Sequence, residues 1–349
     1  MKKSVKMLTV LTMCLMTLVL SLSFAACNAQ CGQQAGMDGV EYMLCDDGKS
    51  YGVVGFTSKG AKEVHVLSEY KGKPVTTVLE RAFAESNVVK VHLPDSITKI
   101  GKRAFADCIW LREVVMPRNL SEIEEYAFSG CDRLYKIEKG IYYVENWVVG
   151  ADLDIDILYF DTKTVGIADK ALFGCANLKE INLFANIKYI GREAFSACSN
   201  LKAVPMGYNI ERIGERAFEN CISLSSVKIS DKVTTLPYKV FFNCTSLTSV
   251  NIPDSVTSIG DYAFENCGSL TSITIPNGVP NIELRMFANC SSLKSVTIPR
   301  SITLIKAQAF YNCSNLKIVN YKGSTEEWKF IYIDSDNDYL KNAKINYIK

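Results

Sequence analysis

Between residues 258 and 276 the chain reads SIGDYAFENCGSLTSITIP, and the period of its apolar positions changes halfway along. Ile259, Ala263, Phe264 and Cys267 recur at three- to four-residue spacing, the stripe of an amphipathic helix of about two turns. Gly268 and Ser269 interrupt that pattern. Ile273 and Ile275 then alternate with polar neighbours, as a half-buried strand does, and Thr274 points the other way. Pro276 removes a backbone donor and ends the strand.

The same frame returns as FANCSSLKSVTIP around Cys290 and as FYNCSNLKIVNY around Cys313, a step of 23 residues. Counting backwards with that step reaches Cys244, Cys221, Cys198 and Cys175, jumps 44 residues to Cys131, and returns to 23 at Cys108. A regular step of this size marks a solenoid, because one short supersecondary unit cannot bury its own apolar face and must stack on its copies. The expected architecture is an α/β repeat solenoid with 23-residue coils, a parallel sheet on one face and short helices on the other. The nine in-register cysteines face inward, and a free cysteine acts there as a small apolar filler. Parallel side-chain vectors resist bridging, and no CxxC pair or His partner accompanies them.

The pattern IGxxAFxxCxxLxxVxIP, read from Ile259 to Pro276 and from Ile100 to Pro117, resembles the BspA-type leucine-rich repeats of bacterial surface proteins, and it covers the chain from about residue 51 to its end. The resemblance implies export or surface display and the binding of host proteins, other cells or surfaces. It also implies an N-terminal cap over 51–82 and a C-terminal cap over 322–349, flanking repeats over 83–321. The 44-residue gap carries GIYYVENWVVGAD, two short strands around Glu145-Asn146, so a hairpin insertion is expected near 138–156. Either it replaces part of a degenerate coil, or Tyr142, Tyr143 and Trp147 protrude as an aromatic platform.

The first 26 residues begin with three early lysines and a long apolar run closed by small residues, which reads as an export signal followed by a polar linker over 27–50. Two cleavage patterns overlap there. Phe24-Ala25-Ala26-Cys27 resembles a lipobox and would make Cys27 a lipid-bearing N-terminus, whereas Ser23-Phe24-Ala25 would suit an ordinary signal peptidase. Both place the protein outside the cytoplasm, with membrane attachment only through that lipid. Cys31 and Cys45 in the linker are spaced to pair or to stay free.

Charge adds an exclusion: 39 basic and 37 acidic side chains nearly balance, with no basic stripe, so nucleic acid is not an expected partner. Catalytic residues, metal sites and cofactors are not expected either. His65 and His92 are the sole histidines, and neither has the company of a Ser/His/Asp or Cys/His set; His92 reads as a surface residue. Asp334 to Asp338 starts like a calcium loop but has Tyr339 where Gly is needed and Ile345 where Glu is needed, and reads as a solvated turn. The sequons at Asn243, Asn289 and Asn312 arise from the repeat frame itself. What remains is the outward column of the sheet, in which Asn182, Lys228, Asn251, Thr274, Thr297 and Asn320 are the candidate contacts for an extracellular protein or glycan. Two other readings stand beside this one: a structural spacer, and an enzyme or enzyme accessory.

Overall fold

A computed structural model describes residues 39–58, 60–182 and 186–348. The export signal, Cys27 and Cys31 lie outside the described residues. Each coil contributes a strand of two to four residues and a second of two, and within each run of coils these strands pair in parallel with their equivalents in the next, the ladders being interrupted at intervals along the solenoid. Ser272, Ile273 and Thr274 face Ser295, Val296 and Thr297, while Thr235 and Leu236 face Ser258 and Ile259. The period of two sets the faces: Ile273 is buried, and Ser272 and Thr274 are exposed.

The helix expected over 259–267 is not formed. Ser258–Ile259 is a strand, and residues 261–266 are consecutive turns. Tyr262 and Asn266 hold φ of 60° and 63°, the left-handed region, at the same spacing of four as the inward pair Ala263 and Cys267. The turns win because they free alternate amides to pair between coils. The amides of Tyr262, Phe264 and Asn266 donate to the carbonyls of Leu284, Met286 and Ala288 at 2.9–3.0 Å. An α-helix would spend those donors within its own turn. Among the described residues the helices are two four-residue pieces, Thr325–Trp328 and Asp338–Lys341.

Inside, phenylalanines stack coil on coil. Phe195, Phe218, Phe241, Phe264, Phe287 and Phe310 form one run with ring centroids 5.3–5.6 Å apart, and Phe83, Phe105 and Phe128 form another. All nine column cysteines are buried and unbridged. They do more than fill. The Cys267 thiol donates to the Phe241 carbonyl (3.3 Å), and the Phe264 carbonyl accepts both the Cys267 amide (3.2 Å) and the Cys290 thiol (3.2 Å). Apart from Cys175, whose thiol lies 3.8 Å from the Asp152 carbonyl, each column thiol satisfies the second lone pair of a buried carbonyl in the coil before it. Cys267→Ala should cost about 1–2 kcal/mol, a small cavity plus one weak hydrogen bond. Burial pushes the Cys221 and Cys313 thiols up to about 12. Maleimide labelling read by mass spectrometry should therefore find the column thiols from Cys175 to Cys313, all shifted upward by burial, unreactive until the chain unfolds. Native labelling of Cys267 as fast as that of half-buried Cys45 would refute the filler role.

At the N-terminal end Val40–Leu44 pairs antiparallel with Tyr51–Phe56, so ordered structure begins inside the segment expected to be linker. Tyr51–Phe56 joins Lys73–Val78 in parallel and lays Phe56 against Phe83 (5.5 Å). At the other end Lys344–Tyr347 adds to Ile318–Tyr321, and Trp328 packs edge-on to Tyr321. The acidic stretch 334–338 is not merely a solvated turn. Asn337 is fully buried, its Oδ1 accepts the Phe310 amide (3.0 Å) and its Nδ2 donates to the Lys306 carbonyl (2.9 Å), so one side chain closes the inter-coil ladder.

The insertion is a meander of Lys136–Glu138, Ile141–Val144 and Trp147–Ala151, turning at Glu145-Asn146 with Glu145 at φ 52°. Tyr143 and Trp147 are core residues, which excludes the protruding platform. Trp147 and Val148 pair in parallel with Gly166 and Ile167 and restore the ladder. The meander supplies no turn segment, so the Asp169 amide donates directly to the Ile123 carbonyl (2.9 Å) and two coils 46 residues apart become neighbours.

Candidate functional site

The sheet face follows from register. Lys228 lies beside Asn251, and Thr274, Thr297, Asn320 and Asn346 follow one another, with Ser226 beside Ser249 and Ser272 beside Ser295 in the column next to them. Lys228, Asn251 and Thr274 are exposed, Thr297 and Asn320 half-buried. The ladder is interrupted between Asn251 and Thr274, yet the Thr271 amide still reaches the Thr248 carbonyl (3.4 Å). Five of the six candidate residues thus share one face. The sixth, Asn182, is in register with Tyr159; its side chain lies outside the described residues.

Sequence reasoning missed the middle of this face. Ile157 and Tyr159 on the strand Ile157–Tyr159, and Tyr208 in the turn beside Lys228, are 40%, 51% and 79% exposed, a degree usual for charged residues and high for these. Lys139 lies over the Tyr159 ring (5.3 Å) and Lys228 over Tyr208 (5.8 Å). A signal for Tyr208 existed: it stands where later coils carry Asp231, Asp254, Asn277 and Arg300, all turn positions in water.

Further towards the N-terminus the face becomes charged. Glu63, Lys90 and Glu113 occupy one column and His65, His92 and Val115 the next. The expected isolated surface histidine is not isolated. The His65 and His92 rings stack 4.0 Å apart within 8° of parallel, and His92 Nε2 is 2.7 Å from Glu63 Oε1. That hydrogen bond, with Lys90 nearby, holds the Glu63 carboxyl below its ordinary range.

A second concavity sits where the insertion brings distant coils together, a cavity of about 230 Å³ lined by Trp147, Tyr189, Glu122, Asp169 and Arg212 among others. Arg212 pairs with Glu122 at 2.6 Å, and the Asp169 carboxylate accepts the Arg192 amide at 2.7 Å. Burial pushes Asp169 up to about 7. Its surroundings are ion-paired side chains and backbone, and the Ser121 hydroxyl that also lines the cavity donates to the Thr98 carbonyl (3.2 Å).

Stacked short strands, an inward Leu, Phe and Cys lattice and an outward polar face define a leucine-rich-repeat solenoid. The chain belongs to the BspA type leucine rich repeat family, whose model matches residues 72–149, 151–248 and 211–332 in six copies. Proteins of this family are typically found on bacterial surfaces. Among solved structures the chain is similar to a leucine rich cell surface protein of Faecalibacterium prausnitzii (24% identity, 86% of this chain and 97% of that one, TM-score 0.33). It is also similar to a leucine-rich repeat protein of Bacteroides ovatus (22%, 90% and 99%, TM-score 0.33) and to the pneumococcal vaccine antigen PcpA (13%, 91% and 99%, TM-score 0.40). No curated protein matches the chain. Among the described residues no helix is long and apolar enough to cross a membrane.

Proposed function

We propose that this chain is a non-enzymatic binding protein displayed outside the cell, held there by lipid on Cys27, which recognises an extracellular protein or glycan through the sheet face. The observation that carries the reading is the composition of that face. Exposed Tyr159 and Tyr208 supply amphipathic anchors with few rotatable bonds, and the ladder Lys228, Asn251, Thr274 and Thr297 supplies hydrogen-bonding groups in fixed register. Such a face suits ligands with repeating polar groups, because successive coils offer the same group at about 4.8 Å intervals.

Binding of the purified protein to arrays of extracellular matrix proteins and glycans tests this. Tyr208→Ala should weaken the strongest interaction found by about 2 kcal/mol, the level of an interface anchor. The triple change Asn251→Ala, Thr274→Ala, Thr297→Ala should weaken it further with folding intact. Undiminished binding by both folded variants would place the contact elsewhere, and a failure to bind any array component would favour the spacer reading.

A further inference from the structure

We propose that Glu63, His65 and His92 form a binding site for a divalent transition-metal ion of the zinc type. The three residues come from two strands, Glu63–His65 and Lys90–His92, paired in parallel so that Glu63 faces Lys90 and His65 faces His92. Glu63 and His65 are two residues apart and so share the outward face, and the register sets His92 next to both. One ligand atom from each residue lies within 4.8 Å of the other two. Both imidazoles aim Nε2 at the same carboxylate oxygen, at 2.7 Å from His92 and 3.7 Å from His65.

A tetrahedral ion with bonds of about 2.0–2.1 Å needs its ligand atoms about 3.3 Å apart, within reach of small side-chain rotations from these separations. Two imidazole nitrogens and one carboxylate match a borderline-soft ion such as zinc, cobalt or nickel; calcium and magnesium prefer oxygen ligands throughout. The nearest competing charge is the Lys90 ammonium, which is 2.9 Å from Glu113 and 4.0 Å from Glu63, so Glu113 already draws it away from the site. His65 and Glu63 are exposed and His92 is half-buried, so the fourth coordination position faces solvent on the same side of the sheet as the proposed ligand surface. A site of this kind, with three protein ligands and an open position, can take a water or a donor atom from a docked partner.

Calorimetric titration of the reduced, chelator-treated protein with zinc chloride should show saturable binding of one ion. His65→Ala and His92→Ala should each weaken it by about ten-fold or more, since even outer-shell partners of a metal ligand are worth about 10–100-fold. His65 is the more exposed of the pair, and its variant decides the matter if the other folds poorly. Cobalt in place of zinc should give ligand-field absorption without a sulfur charge-transfer band. Absence of saturable binding, binding that survives both histidine substitutions, or sulfur charge transfer, which would place the ion on a thiol such as Cys45, would each overturn the proposal.

Discussion

Replacing Phe264 by alanine should lower the unfolding free energy by about 3–5 kcal/mol, measured by urea denaturation followed by circular dichroism. The ring is fully buried and sits between Phe241 and Phe287, 5.6 Å from each, so its removal strips a contact from both neighbours as well as opening a cavity. Collapse cannot heal the gap cheaply. The backbone on either side is fixed by inter-coil bonds, the Phe264 amide to the Met286 carbonyl and the Phe241 amide to the Ala263 carbonyl, both 2.9 Å. Phe264→Leu should cost much less, because Leu172 occupies the equivalent position of another coil and is itself fully buried. A loss below about 1 kcal/mol for the alanine variant would mean that the ring stack contributes shape without stability.

Much of this interior is legible in the sequence because the repeat writes each position many times. Leu270, Ile273 and Cys267 recur every 23 residues, and the equivalent residues of most coils are inward and buried, Ile137 after Val114 being an exception. The helix was misread for a specific reason. Ala263 and Cys267 are four apart, which suits a helix face, but two successive four-residue turns place side chains at the same interval. Asparagine at 220, 243, 266, 289 and 312 was the discriminating signal, since each takes the left-handed region, at φ 56–63°, which asparagine tolerates better than most residues. Three of the amides also bond between coils, Asn243 to Asn220, Asn289 to Asn266 and Asn312 to Asn289. Those asparagines carry the sequons, so the turn geometry accounts for the motif.

The histidine pair was illegible for a related reason. His65 and His92 are 27 residues apart, an interval longer than the 23 of the regular coils, so a 23-residue ruler sets His65 out of register. The candidate face was legible at Lys228, Asn251, Thr274, Thr297 and Asn320, where the alternation is regular. Exposure was not legible at Ile137, which stands at the inward position of the repeat but whose strand is covered on neither side once the chain turns back into the meander, leaving all three of its residues exposed. Periodicity reports which way a side chain points; whether another layer lies over it depends on the tertiary fold.

Trp147→Ala should cost a further about 3–5 kcal/mol and, more tellingly, should divide unfolding into two steps. Trp147 is buried, stacks on Tyr189 at 5.9 Å, and lies so close over Gly166 that a Cβ there would come within 2.4 Å of the indole ring. It is the wedge that joins the meander to the coils after it. In a stacked array each coil is stabilised mainly by its neighbours, so a weakened interface uncouples the segments on its two sides. Elsewhere the coils are tied by strand pairing, turn-side amides and the phenylalanine stack together. At this junction the ring stack is broken, since Phe128 and Phe195 belong to separate runs, and the ties besides the short pairing of Trp147 and Val148 with Gly166 and Ile167 include the Asp169 amide to the Ile123 carbonyl and the Glu122 to Arg212 and Glu125 to Lys170 ion pairs. Those ion pairs are partly exposed and contribute little alone. Thermal unfolding of the variant should therefore show an early transition from one side of residue 147 and a later one from the other, separable by hydrogen exchange. A single transition close to that of the unaltered protein would show that the backbone ladder alone couples the coils, and that the tryptophan fills space without joining them.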